Sequence, residues 1–175
     1  SSLTISGVPL NLNGNANSTQ GETSGIHMGT GFVLRPSSTL TLNNGTVATL
    51  NTLSRGFIHY GSDDALTDVI IDGATLKVTD VSGNGSNGGA WTVKENSDVT
   101  FENVGNHGLS VETLTVDNSD VTVNNAGYVG IYANEITLEN QADVKVTNCG
   151  NNEGVETASS GAYKDKGAVQ LKNDS

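Results

Sequence analysis

The sequence predicts an all-β chain, specifically a right-handed single-stranded parallel β-helix, a solenoid of about five to six coils of 22–23 residues. Three observations lead there. Apolar residues alternate with Thr, Lys or Asn in short runs such as Leu114-Thr115-Val116 and Val121-Thr122-Val123, the period of a half-buried strand. The apolar skeleton recurs: Gly108–Gly130 lies over the stretch that starts at Gly130 with one residue inserted, so that Leu109 meets Ile131, Leu114 meets Ile136 and Val121 meets Val144. No segment keeps a helical period for the ten or so residues a helix needs.

Each coil is expected to hold roughly three strands of a few residues, closed by Asn, Gly, Ser and Asp, which accept tight-turn or left-handed backbone. One such turn can bury nothing, whereas turns stacked in register about 4.8 Å apart make one continuous core. From Gly85 the chain fits the template through Trp91, Val93, Val99, Phe101 and Val104, and two looser coils are carried by Val69–Val81 and Val33–Leu42. The marker positions Leu40, Leu76, Val99, Val121 and Val144 are 36, 23, 22 and 23 residues apart, which places one large insertion between Gly56 and Asp68. A second departure runs from Asn151 to Lys166. Four residues beyond the markers come Asn44, Asp80, Asn103, Asn125 and Asn148, an expected asparagine ladder at a corner of the coil, and the residue after each, up to Cys149, is small or apolar core filler. One domain spanning 1–175 is expected, as a segment of a larger protein.

Composition narrows the function classes. The 175 residues are 34% hydrophobic and 15% charged, with eight Lys and Arg against nineteen Asp and Glu and a net charge of -11, so phosphate backbones and anionic bilayers are repelled and no nucleic acid partner is expected. No apolar run approaches the roughly 18 residues of a membrane span, and no membrane insertion is expected. A single cysteine leaves no disulfide framework.

Candidate chemistry falls mostly on the departures from the repeat. Asp63, Asp64, Asp68 and Asp72, near Arg55, His59 and Tyr60, could act as a carboxylate pair or bind calcium, but a polar excursion is expected in such an insertion anyway. Asp98, Asp120 and Asp143 form an acidic row that a calcium ion could bridge, though local turn hydrogen bonds explain it as well; the expected cofactor set is none, with calcium the one ion considered. His27, His59 and His107 sit at different phases of the repeat and form no metal-ligand spacing, and Gly83–Gly89 reads as a turn between coils. Outward threonines form two files, Thr92, Thr115 and Thr137 in one and Thr41, Thr100 and Thr122 in the other, as a solvated sheet face would. Trp91 belongs to an inward column with Leu114 and Ile136, while tyrosines on turns can stack on sugar rings. The ligand-binding candidates are therefore His59, Tyr60, Asp63, Asp64, Tyr128, Tyr132 and Tyr163, with no catalytic or metal-ligating residue assigned.

The phrases GIYANEITLENQADVKVTNCG and GIHMGTGFVLRPSSTLTLNNG resemble the repeat units of right-handed parallel β-helix regions in bacterial cell-surface and secreted proteins, such as autotransporter passengers and surface proteins of Gram-positive gut bacteria. The resemblance spans about Gly25 to Gly150. It implies an extracellular, surface-located structural or adhesin-type module, with a glycan or host surface protein as partner. The alternative is a polysaccharide-processing enzyme of the pectate-lyase-like β-helix type, or one domain of it.

Overall fold

A computed structural model of the chain describes residues 1–14, 29–60, 67–150 and 169–171. The described elements are all strands, all paired in parallel. Six form one sheet: β2 (Pro9–Asn13), β5 (Val47–Asn51), β8 (Thr75–Val81), β11 (Asp98–Val104), β13 (Asp120–Ala126) and β15 (Asp143–Thr147), adjacent in that order. Ten form the other. One limb of it runs through β1 (Ser2–Ser6), β4 (Thr39–Asn43), β7 (Asp68–Asp72) and β10 (Ala90–Lys94), and a second through β3 (Thr30–Leu34), β6 (Arg55–His59) and β9 (Ser86–Asn87). The limbs join at β12 (Leu109–Asp117), beyond which lie β14 (Ile131–Glu139) and β16 (Val169–Leu171).

This arrangement corrects the single-stranded right-handed β-helix and the solenoid of five to six three-stranded coils: the parallel strands are organised as two sheets, one of them curled into a half-barrel. The cause is the length of β12 and β14. β12 pairs with β9 through Leu109 and Ser110 and with β10 through Thr113–Val116, so two rows that alternation presents as separate short strands merge into one curved sheet. The marker series is corrected too. Leu76, Val99, Val121 and Val144 are register partners, but Leu76 faces Ala48 on its other side, while Leu40 sits in the curled sheet between Leu3 and Val69. Thr41 accordingly joins Ile70, Thr92, Thr115 and Thr137, and Thr100 and Thr122 stand with Lys77 and Lys145 in the smaller sheet. The insertion at Gly56–Asp68 is not wholly a polar excursion, because Gly56, Phe57 and Ile58 are buried in β6, which pairs with β3 and β9.

Alternation puts the core between the sheets. Val69, Trp91 and Leu114 stack in register, and Trp91 packs edge-on against Phe57 and Phe101 at centroid distances of 5.0 and 5.9 Å. Register makes equivalent residues direct neighbours, so the core is a set of columns of like side chains.

Two corners close the chain between sheets. At one, Asp80, Asn103 and Asn125 have φ near 55–59°, and their side chains form a ladder: Asn103 Nδ2 donates to Asp80 Oδ1 at 3.0 Å and Asn125 Nδ2 to Asn103 Oδ1 at 2.9 Å. Asn148 donates instead to Asn124, and Asn44 belongs to a different corner, where it donates to Ser6 Oγ. In β5's turn the equivalent place is held by Thr52, at φ 55°, with its N–H on the Thr79 carbonyl. At the other corner the backbone turns left-handed at Glu95 and Asn96, at Asn118 alone, and at Asn140 and Gln141. The next residue turns back inward: Ser97 and Ser119 are buried, the Ser97 N–H donates to Ser119 Oγ at 3.0 Å and the Ala74 N–H to Ser97 Oγ at 3.1 Å.

Val121 is fully buried between Val99 and Val144. Val121→Asp is therefore expected to lose about 3–5 kcal/mol, the cost of a buried carboxylate with no partner. Thermal melts followed by circular dichroism test it, and an unchanged midpoint would contradict the column. Thr52 is a β-branched residue in left-handed backbone, which carries a cost of roughly 1–2 kcal/mol that Asn largely avoids. Thr52→Asn is expected to raise stability by about 1 kcal/mol, read as a higher urea midpoint at constant slope.

Candidate functional site

The chain passes from the smaller sheet into the curled one through three stacked turns, between β8 and β9, β11 and β12, and β13 and β14. Their backbones are tied level by level: the Gly83 N–H donates to the Ser54 carbonyl at 2.8 Å, Asn106 to Gly83 at 3.1 Å and Tyr128 to Asn106 at 3.2 Å. Two residues on, the Gly85 N–H reaches the His107 carbonyl at 2.9 Å and the Gly108 N–H that of Val129 at 3.0 Å. Beside the turns runs a row of the curled sheet, Ile58, Asn87, Ser110 and Tyr132 in register, of which Ile58 and Ser110 are buried. Turn and row enclose a groove of about 510 Å³ lined by Asn84, Asn87, Asn106, His107, Ser110 and Tyr128. That volume lies in the roughly 300–1,000 Å³ range of ligand sites.

Small residues make the approach possible. A Cβ on Gly105 would stand 2.1 Å from the Ser82 carbonyl oxygen, and one on Gly127 2.1 Å from that of Gly105, so the turns stack this closely only as glycines. The His107 N–H donates to Asn84 Oδ1 at 3.3 Å, which ties one level of the groove to the next. The imidazole of His107 is 7% exposed and lies between two phenol rings, 5.7 Å from Tyr132 at 28° and 6.1 Å from Tyr128 at 37°. Tyr128 is 40% exposed at the mouth. The result is an aromatic wall beside a floor of amides and a hydroxyl, with no carboxylate among the described lining residues. It can present apolar ring faces and several donors and acceptors at once.

Of the residues singled out by sequence, Tyr128 and Tyr132 come together here, bridged by His107. His59 and Tyr60 stand elsewhere: His59 Nδ1 is 2.8 Å from Thr67 Oγ1, and the Tyr60 ring lies under the Arg35 guanidinium at 5.2 Å. Asp63, Asp64 and Tyr163, together with Asn151–Lys166 and His27, lie outside the described residues. Asp72 pairs with Lys94 at 3.1 Å, and Asp68 accepts from Thr39 Oγ1 at 3.4 Å. The Asp98, Asp120 and Asp143 row is in register, and no group of three potential metal ligands occurs among the described residues. Sequence reading set His107 aside as a metal ligand, took Gly83–Gly89, with Asn84 and Asn87, for a turn only, and passed over Asn106 and Ser110. A signal existed, since Asn87, Ser110 and Tyr132 are 23 and 22 residues apart and thus form a polar file at the repeat spacing.

No protein-family model, curated protein or solved structure matches the chain. Nothing therefore identifies the cell-surface adhesin family that the repeat phrases resemble, and the solenoid on which that likeness rested is replaced by the two-sheet arrangement.

Gly127→Ala is expected to cost about 1–3 kcal/mol by forcing the Tyr128 turn away from Gly105. Differential scanning calorimetry would show it; a wild-type melt would mean that the turns are not packed backbone to backbone.

Proposed function

We propose that the chain is a carbohydrate-binding structural module, with the groove of Asn84, Asn106, His107 and Tyr128 as its ligand site. The single observation that carries the reading is the Tyr128–His107–Tyr132 ring cluster set beside side-chain amides. A pyranose has one face of C–H groups and a rim of hydroxyls. Aromatic rings suit the first, and Asn amides, each both donor and acceptor, suit the second. The rest of the molecule supports a scaffold role, because residues from three successive turns reach the groove and none of them acts alone.

The test is a glycan array probed with the 175-residue chain, followed by calorimetric titration of the hits. Tyr128→Ala is expected to weaken binding about tenfold, in the range found for a truncated aromatic anchor. Its melting temperature should stay within about 2 °C, because Tyr128 is exposed. Binding of no saccharide at millimolar concentration, or full affinity in Tyr128→Ala, would sink the reading.

A further inference from the structure

The lining of the groove is ordered by level. Asn87, Ser110 and Tyr132 are register partners, and the Gly85 N–H on the His107 carbonyl and the Gly108 N–H on that of Val129 carry the same register back into the turns. Gly83, Asn106 and Tyr128 are therefore equivalent positions, as are Asn84, His107 and Val129. Two files run along the stacking direction, Gly83, Asn106 and Tyr128 on the turns and Asn87, Ser110 and Tyr132 on the sheet, each advancing by one strand spacing of about 4.8 Å per level.

Both files end in a tyrosine at the β14 level. Below it, Asn106 and Ser110 line the middle level and Asn84 and Asn87 the lowest, so phenol rings serve one end of the groove and amides the other. Asn84 Oδ1 accepts the His107 N–H at 3.3 Å, which holds that amide across the two lower levels. Asn87 is exposed. It lies two steps, roughly 10 Å, from the level of Tyr128, which is farther than one pyranose ring reaches. A ligand that touches both is longer than a monosaccharide, and the step it must follow is set by backbone hydrogen bonds, not by side chains that can adapt. Pyranoses joined through equatorial bonds form an extended ribbon that advances by nearly this step per ring. An axial bond turns the chain aside at each linkage.

We infer that the groove takes an extended, equatorially linked oligosaccharide laid along the stacking direction, one ring to a level over three levels, with the first ring against Tyr128 and the third beside Asn87; this rests on the saccharide reading above. The volume of about 510 Å³ has room for more than one ring. Linkage is selected because a ribbon with the spacing of the turns meets every level without bending, whereas a coiled chain would leave the groove after its first ring.

The experiment titrates the full chain, by calorimetry, with cello-, chito-, manno- and xylo-oligosaccharides of one to four rings, and with malto-oligosaccharides of the same lengths as the axially linked control. In at least one equatorial series, affinity is expected to rise roughly tenfold per ring up to three and to change less than about twofold at the fourth, while the malto series stays flat. Asn87→Ala should cut the gain from the third ring and Asn106→Ala that from the second, and Tyr128→Ala should weaken every length. A loss tied to one ring number separates contact with the ligand from general damage to the fold. An equatorial series that does not rise with length, a malto series that rises as steeply, or an Asn87→Ala variant that keeps the third-ring gain would overturn the lengthwise placement and leave the saccharide site standing. So would binding of an array glycan with none of the four equatorial series. Binding of no saccharide at all would overturn both.

Discussion

The constraint on which the rest depends is parallel register. Each strand hydrogen-bonds to a neighbour from the preceding turn at about 4.8 Å, so whatever a residue does, its equivalent does again one level up. Leu114 lies between Trp91 and Ile136, and Val121 between Val99 and Val144, and these columns supply the apolar interior without a helix among the described residues. The same constraint raises the stakes of each position. A polar group placed in a column disturbs two neighbours as well as itself, and a one-residue slip within a strand would turn its whole face outward. Buried hydroxyls at Ser97 and Ser119 are tolerated because each accepts a backbone N–H from the level below.

The groove follows from the same stacking. Side chains on one turn are too few to surround a ligand, but Asn84, Asn106 and Tyr128 come from successive turns and are brought together by backbone bonds rather than by any affinity for each other. Glycine at 105 and 127 sets how closely those turns approach, as glycine at 83 does against the Ser54 carbonyl. A few positions without side chains thus shape the cavity as much as the residues that line it.

Much of this was legible in the chain. Alternation located the strands, and the overlay of Gly108–Gly130 on the next segment found the pairs Leu109–Ile131, Leu114–Ile136 and Val121–Val144 that register realises. It failed where alternation has two solutions. Leu40-Thr41-Leu42 and Ala48-Thr49-Leu50 read alike, and only the sheets decide that the second, not the first, precedes Leu76. The overlay also cannot show that β12 is long enough to belong to both limbs of one sheet, which is where the expected solenoid gave way. Tyr128 and Tyr132 were picked out as amphipathic rings on turns, yet His107 between them was set aside, because a histidine without a ligand motif has no signal until its neighbours are known. The polar lining was hidden for a related reason: Asn84 and Asn106 look like ordinary turn residues one at a time.

The unequal corners after β10, β12 and β14 have a bearing on how such a chain can change length. Two left-handed residues, Glu95 with Asn96 and Asn140 with Gln141, stand where Asn118 manages alone, and this is why Trp91 and Val99 are eight residues apart while Leu114 and Val121 are seven. The bend works as an expansion joint. An added residue is taken up in solvent, before Ser97 or Ala142 brings the chain back to the same depth, and no strand beyond it is displaced. Peptides grafted into that joint would project from the molecule while the faces on either side kept their alignment.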